Sequence, residues 1–210
     1  MKPILAIDLE GALMYSRPFD NAHKKWFSLM ADLLNDQSIN NYAGLENYFP
    51  QVDIVMKRYL GDIDKKARTT FARQIYALIT IAETKSADLV SEFAKYLRKI
   101  KSQYSLALVT SAPEAAVEPI LQKVGCLDLF DYVYKSPVNK RPSKKELLQE
   151  FIEKHGKPKF YIGHGDKDIL SCKELGILSI TVNWVSKGEH HGDYQADTVK
   201  NLEKLLFKLF

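Results

Sequence analysis

The chain has 210 residues, of which 46% are hydrophobic and 27% are charged, a composition that predicts a globular protein with a full core and one or two domains. The 30 basic and 26 acidic residues are mixed along the chain and leave a net charge of +4, so we expect no nucleic acid partner. No apolar run approaches the length of a membrane span or a signal peptide, which predicts a cytoplasmic protein without membrane contact.

The first predicted element is a short strand near the beginning of the chain. Four apolar residues, Ile4 to Ile7, are followed at once by Asp8 and Glu10. A run of this length is typical of a strand that is buried on both faces of a parallel sheet. In open parallel sheets ligands bind beyond the carboxyl ends of the strands. Asp8 is therefore the first candidate for a catalytic residue.

A block without strands follows this first element. From Asp20 to about Lys85 apolar residues recur at helical spacing, which predicts at least three amphipathic helices. The stretches 35–44 and 61–62 contain turn-forming residues, and Asp62 is positioned to cap the helix after it. We predict a helical block over residues 15–85 that is inserted into a core formed by residues 1–14 and 86–210. The alternative is that these helices pack directly on the sheet.

Strands and helices alternate in the rest of the chain. Short apolar runs predict strands at 106–109, 132–134, 159–162 and 180–184, with amphipathic helices between them. One of these helices begins with Ser143 and Glu146 at the spacing of a capping box. Such alternation predicts an α/β fold, a doubly wound parallel sheet whose strands are joined by right-handed crossovers.

Polar side chains cluster where the predicted strands end. The candidates are Asp8 with Glu10, Thr110 with Ser111, Lys140 on a loop, and the stretch 163–168. A carboxylate can attack phosphorus if a cation masks its charge, and a hydroxyl and a lysine can hold the phosphoryl oxygens. Further carboxylates can bind a hard divalent metal. Together these groups predict phosphoryl chemistry, although Thr110 and Ser111 could instead cap the helix after them, and Arg141 could take the place of Lys140.

At these four positions the sequence resembles the haloacid dehalogenase-like (HAD) superfamily, above all its phosphoglycolate phosphatase-like small phosphatases with a helical C1-type cap. The matching segments are Asp8 to Leu13, Leu108 to Ser111, Lys140 to Ser143, and Gly163 to Ile169 with the helix that runs on to Gly176. The helical block lies where this family has its cap. The resemblance covers residues 1–13 and about 88–210.

The resemblance implies a metal-dependent phosphatase that acts on a small phosphorylated metabolite. Asp8 would form an aspartyl-phosphate, Glu10 would be the acid and base, and Thr110 and Lys140 would stabilise the transferring group. Two further residues, Gly11 and Ser111, would contact the substrate. The implied cofactor is Mg2+, or Mn2+ or Co2+, held by Asp8, the main-chain carbonyl of Glu10, Asp168 and His164.

Three residues depart from the family pattern. Glu10 replaces an aspartate and adds a methylene, Ala12 replaces a threonine, and His164 stands where the family has a metal-binding aspartate. Because Mg2+ prefers oxygen ligands, we expect an aspartate to take over from His164. The register of the predicted helix favours Asp168, and Asp166 is the alternative. The competing hypothesis is a catalytically impaired member of the family that acts as a binding or interaction protein. A dehalogenase or phosphonatase is a third hypothesis that no particular residue supports.

Overall fold

The computed structural model describes residues 2–45, 47–185 and 191–209. The strands are β1 (Ile4–Ile7), β2 (Ser105–Pro113), β3 (Tyr132–Ser136), β4 (Phe160–Gly163), β5 (Leu178–Val182) and β6 (Tyr194–Ala196). The α-helices are α1 (Arg17–Leu33), α2 (Phe49–Leu60), α3 (Lys65–Glu83), α4 (Ser91–Ile100), α5 (Glu114–Lys123), α6 (Lys144–His155), α7 (Asp166–Leu175) and α8 (Val199–Leu209). None of these helices is both long and apolar enough to cross a membrane.

The six strands form one parallel sheet in the order β3-β2-β1-β4-β5-β6. The first strand, β1, lies between β2 and β4, and Leu5, Ala6 and Ile7 are fully buried. Leu5 and Ile7 belong to the apolar cluster on one face of the sheet, and Ala6 belongs to the cluster on the other face. The predicted doubly wound α/β fold is confirmed. Strand β6 was not predicted, because its three residues Tyr194–Ala196 contain no apolar run.

The helical block has an apolar cluster of its own, in which α1 packs against α2 and α3. Trp26, Phe27 and Met30 of α1 are at the centre of this cluster, and the Trp26 indole donates a hydrogen bond to the Ala72 carbonyl at 3.1 Å. Part of the predicted turn at 35–44 is a 3-10 helix, Gln37–Gly44. Helix α3 is capped by Asp64, whose carboxylate accepts from the Ala67 N–H, and not by Asp62 as predicted. The division of the chain into two domains stays a prediction.

Two chain segments connect the helical block to the sheet, and they lie side by side. The Tyr15 N–H donates to the Asp88 carbonyl at 2.8 Å, and the Val90 N–H donates to the Leu13 carbonyl at 3.0 Å. The Asp88 side chain is buried and accepts two hydrogen bonds from the Arg17 guanidinium, at 2.7 and 2.5 Å. Burial disfavours its charged form, but the bonds from Arg17 and from the Lys85 N–H outweigh burial and lower the pKa of Asp88. The two connections are therefore tied to each other.

Two alanine substitutions test whether the helical block is a separate unit. Phe27 and Phe151 are both fully buried, but in different apolar clusters. We expect Phe27→Ala and Phe151→Ala each to lower the free energy of unfolding by about 3–5 kcal/mol. Hydrogen exchange should then accelerate mainly within residues 17–83 in Phe27→Ala and mainly outside them in Phe151→Ala. The same acceleration throughout the chain in both variants would show that the chain unfolds as one unit.

Candidate active site

The Asp8 carboxylate lies at the carboxyl-terminal edge of the sheet, directly after β1. The main-chain N–H of Asp8 donates to the Ile162 carbonyl at 2.9 Å and so continues the hydrogen bonding between β1 and β4. The chain then turns back on itself, because the Met14 N–H donates to the Leu9 carbonyl at 2.8 Å and the Gly11 N–H donates to the Met14 carbonyl at 2.8 Å. Gly11 has φ +78°, a conformation that residues with a side chain rarely adopt. The tight turn after the strand thus fixes Asp8 at the edge of the sheet.

The lysine that contacts Asp8 is Lys144. Its Nζ donates to Asp8 Oδ1 at 2.9 Å, and it lies 3.1 Å from Asp168 Oδ1. Its ammonium also donates to the Val109 carbonyl at 3.3 Å. The sequence resemblance had implied Lys140 at this position. The structure corrects this expectation, because Lys140 is exposed and its Nζ donates to Glu150 Oε1 at 3.1 Å.

The capping box at the start of α6 explains why Lys144 reaches the site. The Ser143 hydroxyl accepts from the Glu146 N–H, and the Glu146 carboxylate accepts from the Ser143 N–H at 2.6 Å. These bonds make Ser143 the cap and Lys144 the first residue of the helix. Lys144 is consequently buried at the edge of the sheet, whereas Lys140 remains on the loop. The sequence contained this signal, since the Ser143 and Glu146 pair fixes where the helix starts.

Asp168 and Tyr161 complete the surroundings of Lys144. Asp168 lies in the first turn of α7 and is buried. A side chain at Gly163 would collide with Asp168, so the close approach of α7 to the end of β4 depends on this glycine. The Tyr161 hydroxyl accepts from Lys144 Nζ at 2.7 Å and donates to the Val109 carbonyl at 3.2 Å. Sequence reasoning missed Tyr161, because it has the pattern of a core residue in a buried strand.

The carboxylates at this edge outnumber the cations that contact them. Burial, and the charge of Asp168, raise the pKa of Asp8 to about 6 in spite of its bond with Lys144. Burial, and then the charges of Asp8 and Asp20, raise the pKa of Glu10 to about 8. Burial disfavours the charged form of Lys144, but the carboxylates of Asp168 and Asp8 outweigh it and raise the pKa of this lysine. The site therefore holds a charged ammonium and an excess of acidic groups.

Thr110 and Ser111 lie at the end of β2, next to the lysine. Thr110 is buried, and its Oγ1 accepts from the Ala112 N–H at 3.2 Å, which leaves its hydroxyl proton available to a ligand. Ser111 is exposed, and its carbonyl accepts a long hydrogen bond of 3.4 Å from Arg73 of the helical block. The structure therefore places Thr110 at the sheet edge that also carries Asp8, whereas the Ser111 contact is through its main chain.

His164 and the donors for a metal form the last part of the site. The His164 ring packs against Gly11, where any side chain would collide with it. Among the described residues no group of three or more His, Cys, Asp or Glu side chains is arranged to hold a metal ion. The oxygen donors near Asp8 are nevertheless of the kind that a hard divalent cation binds, and their excess negative charge favours such a cation. The assignment of His164, Asp168 or Asp166 as a ligand stays a prediction.

The sequence also matches a known family. A family model described as haloacid dehalogenase-like hydrolase matches residues 19–182, which is more than half of the 210-residue chain. The chain belongs to the haloacid dehalogenase-like hydrolases. The superfamily that its motifs predicted is thereby confirmed. No curated protein matches the sequence.

Solved structures of several bacterial proteins share the fold over almost the whole chain. A predicted phosphatase from Clostridium acetobutylicum has 17% sequence identity and a TM-score of 0.71, with 99% of each chain covered. A haloacid dehalogenase-like family hydrolase from Streptococcus pneumoniae has 18% identity and a TM-score of 0.66, with 99% of this chain and 98% of that chain covered. The HAD-hydrolase YfnB from Bacillus subtilis, whose magnesium-bound structure reveals interdomain movement, has 14% identity and a TM-score of 0.64, with 98% and 99% covered.

The raised pKa values predict how the stability of the metal-free protein depends on pH. Asp8 and Glu10 bind a proton more tightly in the folded protein, with pKa values of about 6 and about 8, than in the unfolded chain, where they titrate near 3.8 and 4.5. The folded state therefore holds more protons between these values, and the free energy of unfolding contributed by these groups falls as pH rises from about 4 to about 8. Glu10→Gln should remove the larger part of this fall in the free energy of unfolding, because the pKa of Glu10 is raised more than that of Asp8.

We compare the free energy of unfolding of Glu10→Gln with that of the wild type at two pH values. The difference, mutant minus wild type, should be larger at pH 8 than at pH 5 by at least about 1 kcal/mol. Chemical denaturation in the presence of a chelator measures this difference. The matched control is Glu92→Gln, which changes an exposed carboxylate on α4 and should leave the pH dependence as it is. A Glu10→Gln protein with the pH dependence of the wild type would contradict the prediction.

Proposed function

We propose that this protein is a metal-dependent phosphatase that hydrolyses a small phosphorylated metabolite through an aspartyl-phosphate at Asp8. The observation that carries the proposal is the contact of one buried lysine, Lys144, with two carboxylates, Asp8 and Asp168, at the end of the first strand. Membership in the haloacid dehalogenase-like hydrolases supports a hydrolytic reaction. The similar fold of a predicted phosphatase supports phosphate esters as the substrates.

In the first step of the proposed reaction, an Asp8 carboxylate oxygen forms a bond to phosphorus. The bond between phosphorus and the leaving oxygen breaks, and that oxygen takes a proton from Glu10. In the second step Glu10 takes a proton from water, and the water oxygen attacks phosphorus. The bond between phosphorus and Asp8 then breaks, which restores the carboxylate and releases inorganic phosphate. Glu10 thus supplies and recovers one proton in each cycle.

Lys144 and Thr110 stabilise the charge that moves during both steps. The Lys144 ammonium offsets the negative charges of Asp8 and Asp168, so an anionic phosphate ester can approach the nucleophile. The Tyr161 hydroxyl and the Val109 carbonyl accept from the same ammonium and hold it in place. The Thr110 hydroxyl donates to a phosphoryl oxygen. Lys144 takes the role that the sequence resemblance had implied for Lys140.

The metal that the family implies fits the oxygen donors of the site. Asp8 and the main-chain carbonyl of Glu10 would hold Mg2+, or Mn2+ or Co2+, together with Asp168 or His164. When bound, the metal neutralises negative charge on the carboxylates and on the phosphoryl group. Because Asp168 also contacts Lys144, its carboxylate would serve both cations if it is a ligand.

The helical block has the place of a C1-type cap in the proposed enzyme. Helix α3 approaches the sheet edge through the contacts of Arg73 with Ser136 and Ser111. A block in this position can exclude water from the phosphoryl site when it is closed. The interdomain movement of the magnesium-bound Bacillus subtilis hydrolase supports such a closure. Location in the cytoplasm stays a prediction.

The nucleophile is tested with an aryl phosphate and a panel of phosphorylated metabolites. We expect phosphate release in the presence of Mg2+, Mn2+ or Co2+, and a loss of at least about 1,000-fold in Asp8→Asn, because the amide cannot form the covalent intermediate. Removal of the metal with a chelator should lower the rate to that of Asp8→Asn. Equal trace rates for the wild type and Asp8→Asn with every metal would contradict the proposal and favour the catalytically impaired alternative.

The lysine is tested by comparing two matched substitutions. Lys144→Met removes the buried ammonium beside Asp8 and should lower kcat/KM by about 100-fold or more. Lys140→Met removes an exposed ammonium that bonds to Glu150, and its kcat/KM should stay within about twofold of the wild type. Both proteins are first compared by circular dichroism. A larger loss in Lys140→Met than in Lys144→Met would show that the sequence-based choice of lysine was right.

A further inference from the structure

Arg73 is a buried cation between the helical block and the sheet. It belongs to α3 and is 8% exposed. Its Nη2 donates to Ser136 Oγ at 2.8 Å, but its Nε is buried without a hydrogen-bond partner. Among the described residues no carboxylate forms an ion pair with it. Arginine is almost never buried in this way without an anionic partner. The burial of Arg73 therefore indicates that an anion binds beside it.

A second arginine lines a cleft together with Thr69 and Ala72, the neighbours of Arg73 on α3. Arg141 is on the exposed loop before α6, and its guanidinium stacks over the Phe49 ring of α2, 4.7 Å from the ring centroid. Burial, and then the charge of Arg141, lower the pKa of Arg73 to about 10. Two guanidinium groups that repel each other in this way raise the free energy of the protein unless an anion lies near them.

The carboxylates that act on these arginines from a distance are bound elsewhere. Glu114 attracts Arg73, but its carboxylate accepts from the Val138 N–H at 3.2 Å. Asp53 attracts Arg141, but its carboxylate accepts from Arg68 at 3.1 Å. The described part of the chain therefore gives neither arginine a carboxylate within ion-pairing distance.

Arg73 lies near the phosphoryl site, because it contacts the strand whose main chain also binds Lys144. Arg73 Nη2 is 3.4 Å from the Ser111 carbonyl, and Lys144 Nζ is 3.3 Å from the Val109 carbonyl of the same strand. Two residues of a strand span roughly 7 Å. A single small molecule can therefore extend from Lys144 to Arg73.

The cleft that Arg141 lines is next to Arg73 and is basic. Its volume is about 950 Å³, and its walls are α2, α3 and the loop at 139–141. Thr69 and Ala72, the neighbours of Arg73 on α3, line it together with Arg141. Five basic residues and a single acidic one line the cleft: Lys65, Lys66, Arg68, Lys140, Arg141 and Asp53. The positive charge of these walls favours the entry of anions.

We propose that Arg73, together with Arg141, binds a second anionic group of the substrate, a carboxylate or a second phosphate, in addition to the phosphoryl group that Asp8 attacks. This inference rests on the proposed function, and it narrows the substrate class to small phosphate esters that carry a further negative charge. Neutral sugars and aryl groups lack the charge that these guanidinium groups attract. The helical block would then select the substrate through Arg73.

Calorimetric binding to the Asp8→Asn protein tests the proposal without depending on turnover. The probes are three phosphate esters of the same three-carbon chain: 3-hydroxypropyl phosphate, 3-phosphonooxypropanoate and propane-1,3-diyl bisphosphate, each with Mg2+. We expect at least one of the two anionic probes to bind about 10-fold or more tighter than the hydroxyl probe. The tighter of the two identifies the second group as a carboxylate or a phosphate.

The same binding measurements on a double substitution show whether Arg73 causes the preference for an anionic probe. In Asp8→Asn with Arg73→Met the preference for the anionic probe should fall to about twofold or less, because the guanidinium is lost. The matched control is Arg98→Met on α4, whose guanidinium donates to the Gly125 carbonyl at 2.6 Å and does not line the cleft, and it should retain the preference. Equal binding of all three probes, or a preference that survives Arg73→Met, would overturn the inference.

Arg141→Met keeps the test decisive if Arg73→Met does not fold. Arg141 is exposed, so this substitution should preserve the fold, and we expect it to reduce the preference at least about threefold. An unchanged preference in Arg141→Met would overturn the paired site. A wild-type protein that hydrolyses none of the probes, but whose Asp8→Asn form shows an Arg73-dependent preference, would contradict the phosphatase proposal and support the second-anion site.

Discussion

The contact between the Lys144 ammonium and the carboxylates of Asp8 and Asp168 holds the site together. It joins three elements that are distant in the sequence: the end of β1, the start of α6 and the first turn of α7. Strand β1 is followed by a tight turn at Gly11, and α6 begins at a capping box. Helix α7 begins soon after β4, which ends at Gly163. A parallel sheet places these ends at one edge, and the lysine allows the acidic groups to lie close together.

The acidic groups at this edge of the sheet lower the stability of the folded protein, although the proposed reaction needs them. Asp8 and Glu10 have raised pKa values because burial and mutual repulsion disfavour their charged forms. A sequence selected for stability alone would place apolar or amide groups here. The proposed reaction requires these carboxylates, and a bound cation would relieve their repulsion. The same logic applies to Arg73, whose burial without a carboxylate destabilises the protein until an anion is bound.

The sequence predicted most of the sheet, because short buried runs bounded by turn residues have few other structures open to them. It also placed Asp8 and Asp168, since the strand end and the helix start are marked by neighbouring glycines. It did not identify Lys144 as the lysine that contacts Asp8, because Lys140 was chosen by motif spacing although the capping box put Lys144 at the helix start. Arg73 could not be predicted at all. Its position depends on how α3 packs against the sheet, and no local pattern distinguishes it from the exposed basic residues around it.

The paired connections between the helical block and the sheet have a mechanical consequence. The chain enters the block beside Tyr15 and leaves it beside Asp88, and main-chain hydrogen bonds and the Arg17 side chain join these two points. Two connecting segments that are bonded to each other favour rotation of the block about these connections over sliding of the block along the sheet. If the block opens and closes as proposed, each closure returns Arg73 to the same place near the end of β2. The distance between its guanidinium and Lys144 then limits the length of the molecule that can contact both groups.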